Sequence, residues 1–203
     1  AVTGQWDFRF GDLRATVGAD LEYVGDTTNH TAFQLISLNG DAVPVMAFGG
    51  NTSSQGFTMW HGAMPNGGGQ FVNQYTLILD VMFPTSSSGQ WRALLQSDPF
   101  NHPGNDADFY VGGADASPAP NGIGAEGQYD GPLAANTWYR VAFAVDLTAS
   151  AGQQLSKYVN GLLVGSQSLS GGVDGRFALG PAAQHMQAGK LVNIRNRKHD
   201  EIK

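Results

Sequence analysis

The chain has 203 residues, of which 28 are glycine, none is cysteine and only 14% are charged. The absence of cysteine excludes a disulfide framework and a thiolate metal site, and no apolar segment approaches the roughly 20 residues that a membrane-spanning helix needs. The net charge is −6, and residues 1–189, with six basic and 15 acidic side chains, carry −9, a charge expected to repel nucleic acid and anionic membranes.

Many short strands are predicted, because apolar and polar residues alternate between turn-forming residues and no long segment has apolar residues at helical spacing. In chain order, strands are predicted within residues 1–25 and at 33–38, 43–48, 56–61, 75–83, 91–96, 108–111, 122–124, 138–146, 155–169 and 176–179. Trp6, Phe8 and Phe10 alternate with polar residues and predict one apolar face on the opening strand. Pro44 cannot donate to a ladder, which places its strand at a sheet edge. The regular alternation in residues 75–83 predicts a central strand.

Two patterns in the second half of the chain indicate strands most clearly. Val141, Phe143 and Val145 fall on one face of the segment 138–146, which is the period of a half-buried strand. Asn160-Gly161 separates two further strand patterns and predicts a two-residue hairpin, because both central residues of that turn take positive φ. With turns recurring every 8–12 residues, the chain is predicted to be all-β, an antiparallel β-sandwich.

Several short phrases carry a family resemblance. They are W-Y-R-V-A at 138–142, Y-V-N-G at 158–161, H-G-A-M-P-N-G-G-G at 61–69, V-N-Q-Y-T-L at 72–77, N-D-A-D-F at 105–109, G-I-G at 122–124 and V-D-G-R-F at 173–177. As a set they resemble the LamG-like (laminin G, concanavalin A-like) jelly-roll domains of bacterial secreted proteins. The resemblance implies one such β-sandwich over residues 1–180, as a module of a larger secreted or cell-surface protein.

The end of the chain departs from that resemblance. LamG-like domains usually close with a strand that returns beside the N-terminal strand, whereas residues 181–203 form an atypical segment with five of the eleven basic residues in its last 14 positions. We expect a solvated basic tail. Two alternatives are that the segment is non-native and that residues 191–195 supply a substitute closing strand. Without a closing strand, an open sheet edge would favour self-association.

The loop after residue 98 contains the best candidate metal ligands. Calcium takes six to eight oxygens from carboxylates, amides and backbone carbonyls, and Asn105, Asp106 and Asp108 can supply several of them. Concanavalin A-like folds often hold calcium on such loops, so the resemblance supports calcium as a cofactor. The alternative is that the aspartates only cap turns.

Aromatic residues suggest a second kind of site. Trp60-His61, Trp91 and the Tyr129-Asp130 loop offer aromatic faces beside polar groups, the combination that packs on the C–H face of a sugar while binding its hydroxyls. The alternative is that both tryptophans belong to the core of the sandwich.

A non-catalytic binding module, with carbohydrate as its ligand, is the function that these observations favour. The partner is then a glycan or cell-surface polymer, with no nucleic acid, no membrane insertion and a secreted or cell-surface location. One alternative is a structural or adhesion module that binds protein. Another is a small hydrolase of the esterase, phosphatase or glycosidase type, although the chain contains neither E-x-D-x-x-E nor G-x-S-x-G.

Overall fold

Strands dominate the computed structural model, which describes residues 1–49, 55–97 and 108–180 and the backbone of 184–186. The described strands are β1 (Glu22–Val24), β2 (Thr31–Leu38), β3 (Asp41–Phe48), β4 (Gly56–Met59), β5 (Gln74–Val81), β6 (Arg92–Leu95), β7 (Phe109–Val111), β8 (Ile123–Ala125), β9 (Gln128–Asp130), β10 (Tyr139–Asp146), β11 (Leu155–Val159), β12 (Leu162–Gln167) and β13 (Gln184–Met186). Two short 3₁₀ helices, Gly25–His30 and Thr85–Ser87, complete the described elements. Neither helix has the length and apolar character needed to span a bilayer.

Antiparallel pairing builds four sheets. Their strand orders are β1-β4-β13, β12-β11-β10-β5, β2-β3 and β6-β7-β8-β9. The two four-stranded sheets meet in the core, where the Phe109 ring of β7 lies 4.9 Å from the Phe143 ring of β10. The predicted all-β fold is confirmed, and the strands and sheets are those expected of a β-sandwich.

The strand patterns of the second half are also confirmed. Val141, Phe143 and Val145 are buried on one face of β10. Asn160 and Gly161 form the two-residue turn between β11 and β12, with φ of 50° and 81°. That turn sets the register of the first two pairs, Val159 with Leu162 and Tyr158 with Leu163, and an irregularity between Lys157 and Tyr158 then shifts the register by one residue.

Of the strands predicted within residues 1–25, β1 is confirmed, whereas the one predicted from Trp6, Phe8 and Phe10 is wrong. Phe8 is buried, but it has a positive φ of 54°, and Phe10 is 50% exposed. Before β1, the described pairing is a single bridge between Gln5 and Val17. The segment forms a turn instead of a strand, and the buried Phe8 in this turn packs against Phe33 of β2.

Three other expectations need correction. Residues 176–179 form turns and one bridge, between Leu179 and Val72, instead of a strand. The predicted Tyr129-Asp130 loop is the strand β9. The strand predicted at 75–83 is β5, and it lies at the edge of its sheet in the described part of the chain, where β10 is its one partner.

Three of the short sequence phrases meet at Asp174. Its carboxylate accepts hydrogen bonds from the backbone N–H groups of Gln70 and Phe71, at 2.7 and 2.9 Å, and from the Asn73 amide at 2.9 Å. Any side chain at Gly69 would collide with this carboxylate, because an added Cβ would lie 2.2 Å from Asp174 Oδ1. The phrases at 61–69, 72–77 and 173–177 are therefore parts of one structural junction at the start of β5.

Candidate functional site

The predicted aromatic residues Trp91 and Tyr129 come together on the sheet β6-β7-β8-β9. Their ring centroids lie 4.9 Å apart in an edge-to-face arrangement, and the Tyr110 ring is 5.8 Å from Trp91 in the same geometry. The Trp91 Nε1–H donates to the Asp115 carboxylate at 2.9 Å. Trp91 is nevertheless 43% exposed, so this tryptophan is a surface residue with its polar group already bonded.

Glycines allow the Trp91 cluster to pack closely on the sheet. In the pairing register, Gly124 of β8 stands between Tyr110 of β7 and Tyr129 of β9. At Gly113, an added Cβ would lie 2.8 Å from the indole ring of Trp91, so the indole rests directly on the backbone there. The sheet thus presents a tryptophan lying against backbone and braced by two tyrosine rings, a geometry suited to stacking on a flat apolar ligand face.

Asp130, the third predicted member of this group, belongs to a different cluster. Neighbouring residues on a strand point to opposite faces, and the Asp130 carboxylate pairs with Lys157 Nζ of β11 at 2.5 Å. Lys157 is fully buried, and its Nζ also donates to Gln128 O at 3.1 Å and to Gln167 Oε1 at 2.7 Å. Burial lowers the pKa of Lys157, while the bond to Asp130 acts in the opposite direction. This cluster joins β9 to β11 and β12.

Trp60 and His61 lie after β4, which belongs to a different sheet from β9 and Tyr129. Trp60 is 40% exposed. His61 is buried; its Nδ1 accepts from Ala63 N at 3.0 Å, and its Nε2 lies 2.7 Å from Gly180 O. With Nδ1 as acceptor, Nε2 carries the proton and donates to that carbonyl. His61 therefore binds the backbone at Gly180. Both of its ring nitrogens are engaged by the protein, so neither is left for a ligand.

Of the predicted calcium ligands, Asn105 and Asp106 lie outside the described residues. Asp108 is buried, and its Oδ2 accepts from Ser97 N and Oγ at 2.6 and 2.9 Å, while its Oδ1 accepts from Arg176 Nε at 2.6 Å. No group of three or more His, Asp or Glu side chains close enough to hold a metal occurs among the described residues. Calcium remains a prediction, and its one described ligand is engaged by protein donors.

A groove of about 800 Å³ runs along β5 and was not foreseen from the sequence. Residues 74–79 form one wall, and the N-terminal segment, with residues 59–66, contributes to the remainder. Among the described residues that line it, Arg140 has the one charged side chain, and it forms a two-point ion pair with Asp80 at 2.8 and 2.9 Å. Segments remote in sequence build the groove, so no local pattern could have indicated it.

Burial of the Tyr75 hydroxyl in the groove wall raises the pKa of that group above its ordinary value. The hydroxyl donates to Phe177 O at 2.7 Å. Tyr75 is therefore neutral at physiological pH and serves as a packing and hydrogen-bonding residue between β5 and the segment after Asp174.

No protein-family model, curated protein or solved structure matches this chain.

Proposed function

We propose that this protein is a non-catalytic carbohydrate-binding module of the LamG-like type, acting as part of a larger secreted or cell-surface protein. The observation that supports it is the exposed indole of Trp91, which rests on the backbone at Gly113 and is braced by Tyr110 and Tyr129. An aromatic ring held in this way packs on the apolar C–H face of a sugar without the ordering cost of a mobile side chain.

Polar groups at the edge of the indole complete the proposed site. The Asp115 carboxylate binds Trp91 Nε1 through Oδ1, which fixes the ring and leaves the second carboxylate oxygen to accept from a sugar hydroxyl. Sugars combine hydroxyl edges with apolar faces, and sites for them place a few polar groups beside an aromatic surface. In this proposal Trp91 supplies contact area and Asp115 supplies orientation, while Tyr129 holds Trp91 in place.

The test compares two partly exposed tryptophans. A glycan array would first identify a ligand for the wild-type protein, and calorimetry would then measure its affinity for Trp91→Ala, Trp91→Phe and Trp60→Ala. We expect Trp91→Ala to weaken binding by about tenfold or more, corresponding to the roughly 1.4 kcal/mol that a lost aromatic contact can supply. Trp91→Phe should retain part of the affinity, and Trp60→Ala should leave it unchanged.

Two results would contradict the proposal. If binding survives Trp91→Ala and is lost in Trp60→Ala, the sugar site lies beside β4. If no glycan binds, the protein-binding alternative gains support. That second candidate function rests on a separate observation: among the described strands β5 pairs with β10 alone, and an unpaired strand edge is a template for another strand.

A further inference from the structure

The groove along β5 contains the outer edge of that strand. Over Gln74–Val81, β5 pairs with β10 on one side. No other described strand pairs with β5, and the closing strand considered at 191–195 lies outside the described residues. Residues 74–79 line the groove with side chains of both strand faces, so the groove surrounds the strand edge itself.

The pairing register shows which backbone groups of β5 face the groove. In an antiparallel pair, opposite residues alternate: one pair exchanges both backbone hydrogen bonds, and the next points its groups away from each other. Arg140 of β10 stands opposite Asp80, and its N–H and C=O bond to Asn160 at 2.9 and 2.7 Å, on the side of β10 away from β5. The N–H and C=O groups of Thr76 and Ile78 have the same phase as those of Asp80, so they point away from β10 and into the groove.

Asn66 shows how this edge accepts a partner. Its carboxamide accepts from Gln74 N at 2.7 Å and donates to Gln74 O at 2.8 Å, the two-point contact that a residue of a neighbouring strand would make. The groove continues to Thr76 and Ile78, whose outward backbone groups have no hydrogen-bond partner among the described residues. A purely apolar occupant would take these groups out of water without replacing their hydrogen bonds. The groove therefore suits a peptide better than an apolar molecule.

The size of the groove and its exposed apolar side chains also fit an extended peptide. A five-residue strand is about 17 Å long, takes about 4.8 Å in the sheet and about 10 Å to the facing layer, so it fills roughly 800 Å³. The groove has a volume of about 800 Å³. Three of its lining side chains are large, apolar and exposed: Val2 by 64%, Met64 by 79% and Ile78 by 39%. Exposed apolar groups gathered around one groove mark an interaction site.

We propose that this groove binds an extended peptide segment of another protein, which adds to the sheet as a strand beside β5. The segment pairs with the outward backbone groups of Thr76 and Ile78 and places apolar side chains, at alternate positions, on the face of Leu77 and Leu79. This site lies on a different sheet from the proposed carbohydrate site, and neither site depends on the other.

Charge defines the peptide further. Arg140 is neutralised by its ion pair with Asp80, so the groove has no free charge among its described lining residues. The field is then that of residues 1–189, which carry −9. This field repels an acidic segment and attracts a basic one, so the segment has no acidic residues.

A random heptapeptide display library, panned on the full chain, supplies the probes. We expect the selected peptides to have apolar residues at alternate positions and no acidic residues. The deciding measurement is an N-methyl scan of the tightest peptide by calorimetry, because each methyl group removes one backbone donor. Methylation at the alternate positions that face β5 should weaken binding at least tenfold, and methylation at the positions between them should weaken it less than twofold.

A variant of β5 locates the bound peptide. Thr76→Pro removes an outward N–H and no hydrogen bond to β10, a change that an edge strand tolerates. Leu35→Pro is the matched control at the edge of β2: the Gly49 N–H bonds to His30 O at 3.0 Å, and the alternation from there directs the Leu35 N–H outward. We expect Thr76→Pro to weaken peptide binding at least tenfold and Leu35→Pro to leave it within twofold, with folding checked by circular dichroism.

Several outcomes would overturn the proposal. Equal sensitivity to methylation at every position would mean that the peptide does not bind as a strand. Equal affinities for the wild type and Thr76→Pro, or equal losses in Thr76→Pro and Leu35→Pro, would mean that it binds outside the groove. Failure to select any peptide, with binding of sodium dodecanoate instead, would assign the groove to an apolar molecule. If Thr76→Pro does not fold, the N-methyl scan on the wild type decides alone.

Discussion

The two fully buried cations, Lys157 and Arg92, have opposite surroundings. Lys157 has an aspartate, a backbone carbonyl and an amide oxygen around its ammonium group. The Arg92 guanidinium stacks on the Phe83 ring, 3.7 Å from its centroid, and none of its three nitrogens has a hydrogen-bond partner among the described residues. Both side chains occupy core-facing strand positions, so burial alone does not distinguish them.

The different surroundings of Lys157 and Arg92 imply different contributions to the stability of the fold. Each of the other five basic residues in residues 1–180 pairs with an aspartate; they are Arg9, Arg14, Arg140, Lys157 and Arg176. A buried ion contributes to stability only when its hydrogen-bonding capacity is met. Lys157 meets this condition and links β9 to β11, whereas burial without partners lowers the pKa of Arg92 to about 10. We infer that Lys157 stabilises the native sheet packing and that Arg92 opposes it.

Removing the partner of Lys157 should have the largest effect. Asp130→Ala leaves a buried ammonium without its counterion, a change that costs about 3–5 kcal/mol of unfolding free energy. Urea denaturation monitored by circular dichroism measures this loss. The double variant Asp130→Ala with Lys157→Met is the control and should recover most of the stability, because it removes the unpaired charge. Equal losses in the single and double variants would contradict this explanation.

The pH dependence of the stability of Asp130→Ala tests the same explanation, that the buried ammonium of Lys157 needs its counterion. Burial already lowers the pKa of Lys157, and Asp130 acts to raise it, so the variant lowers that pKa further below 10.5. Between the folded-state pKa and 10.5, the unfolded chain binds more protons than the folded one, so stability rises with pH. The cost of Asp130→Ala should therefore be larger at pH 7 than at pH 9.5. A cost that does not change with pH would mean that Lys157 stays charged throughout.

Removing the charge of Arg92 should raise the free energy of unfolding, the opposite of the effect of Asp130→Ala. Arg92→Met keeps an unbranched side chain on Phe83 and removes a desolvation cost of several kcal/mol, against a cation–π contribution of about 2 kcal/mol. We therefore expect the variant to raise the free energy of unfolding by about 1 kcal/mol. The matched control Lys157→Met should lower it. A loss of 3 kcal/mol or more in Arg92→Met would reveal an anionic partner for the guanidinium.

Local signals predicted the parts of the fold that local interactions determine. The alternation in β10 and the Asn160-Gly161 turn depend on a few neighbouring residues, and both were predicted correctly. Phe8 was not, because a buried turn anchor depends on a partner far away in the chain, here Phe33. β9 was not either, although β8 pairs with it across the adjacent turn Glu126-Gly127, because a three-residue strand is too short to show a clear alternation. The edge position of β5 likewise depends on which other segment reaches it.

The candidate site shows the same limit. Aromatic content indicated Trp91 and Tyr129, and the structure brings them together, but Tyr129 and Asp130 are adjacent on a strand and must face opposite sides. The alternation of side chains along a strand at 128–130 places Tyr129 and Asp130 on opposite faces of the sheet.

The sequence also indicated that Lys157 is buried, because Leu155, Lys157 and Val159 share one face of β11. A lysine at the centre of an apolar strand face calls for a buried acidic partner, but sequence does not identify which one.

Calcium should have the smallest effect, and a third ion pair explains why. The Asp108 carboxylate already accepts from Ser97 and Arg176, so a calcium ion that uses it must displace the guanidinium.

For a dissociation constant of about 0.1–1 mM, typical of extracellular calcium modules, 2 mM calcium would stabilise the fold by roughly 0.6–1.8 kcal/mol. Thermal melts in calcium and in EDTA should then differ by several degrees at most. Asp106→Ala should abolish the difference without affecting the melt in EDTA, whereas Asp108→Ala should also lower the melt in EDTA because it removes the buried ion pair with Arg176. Identical melts of the wild type in calcium and in EDTA would leave Asp108 with a purely structural role.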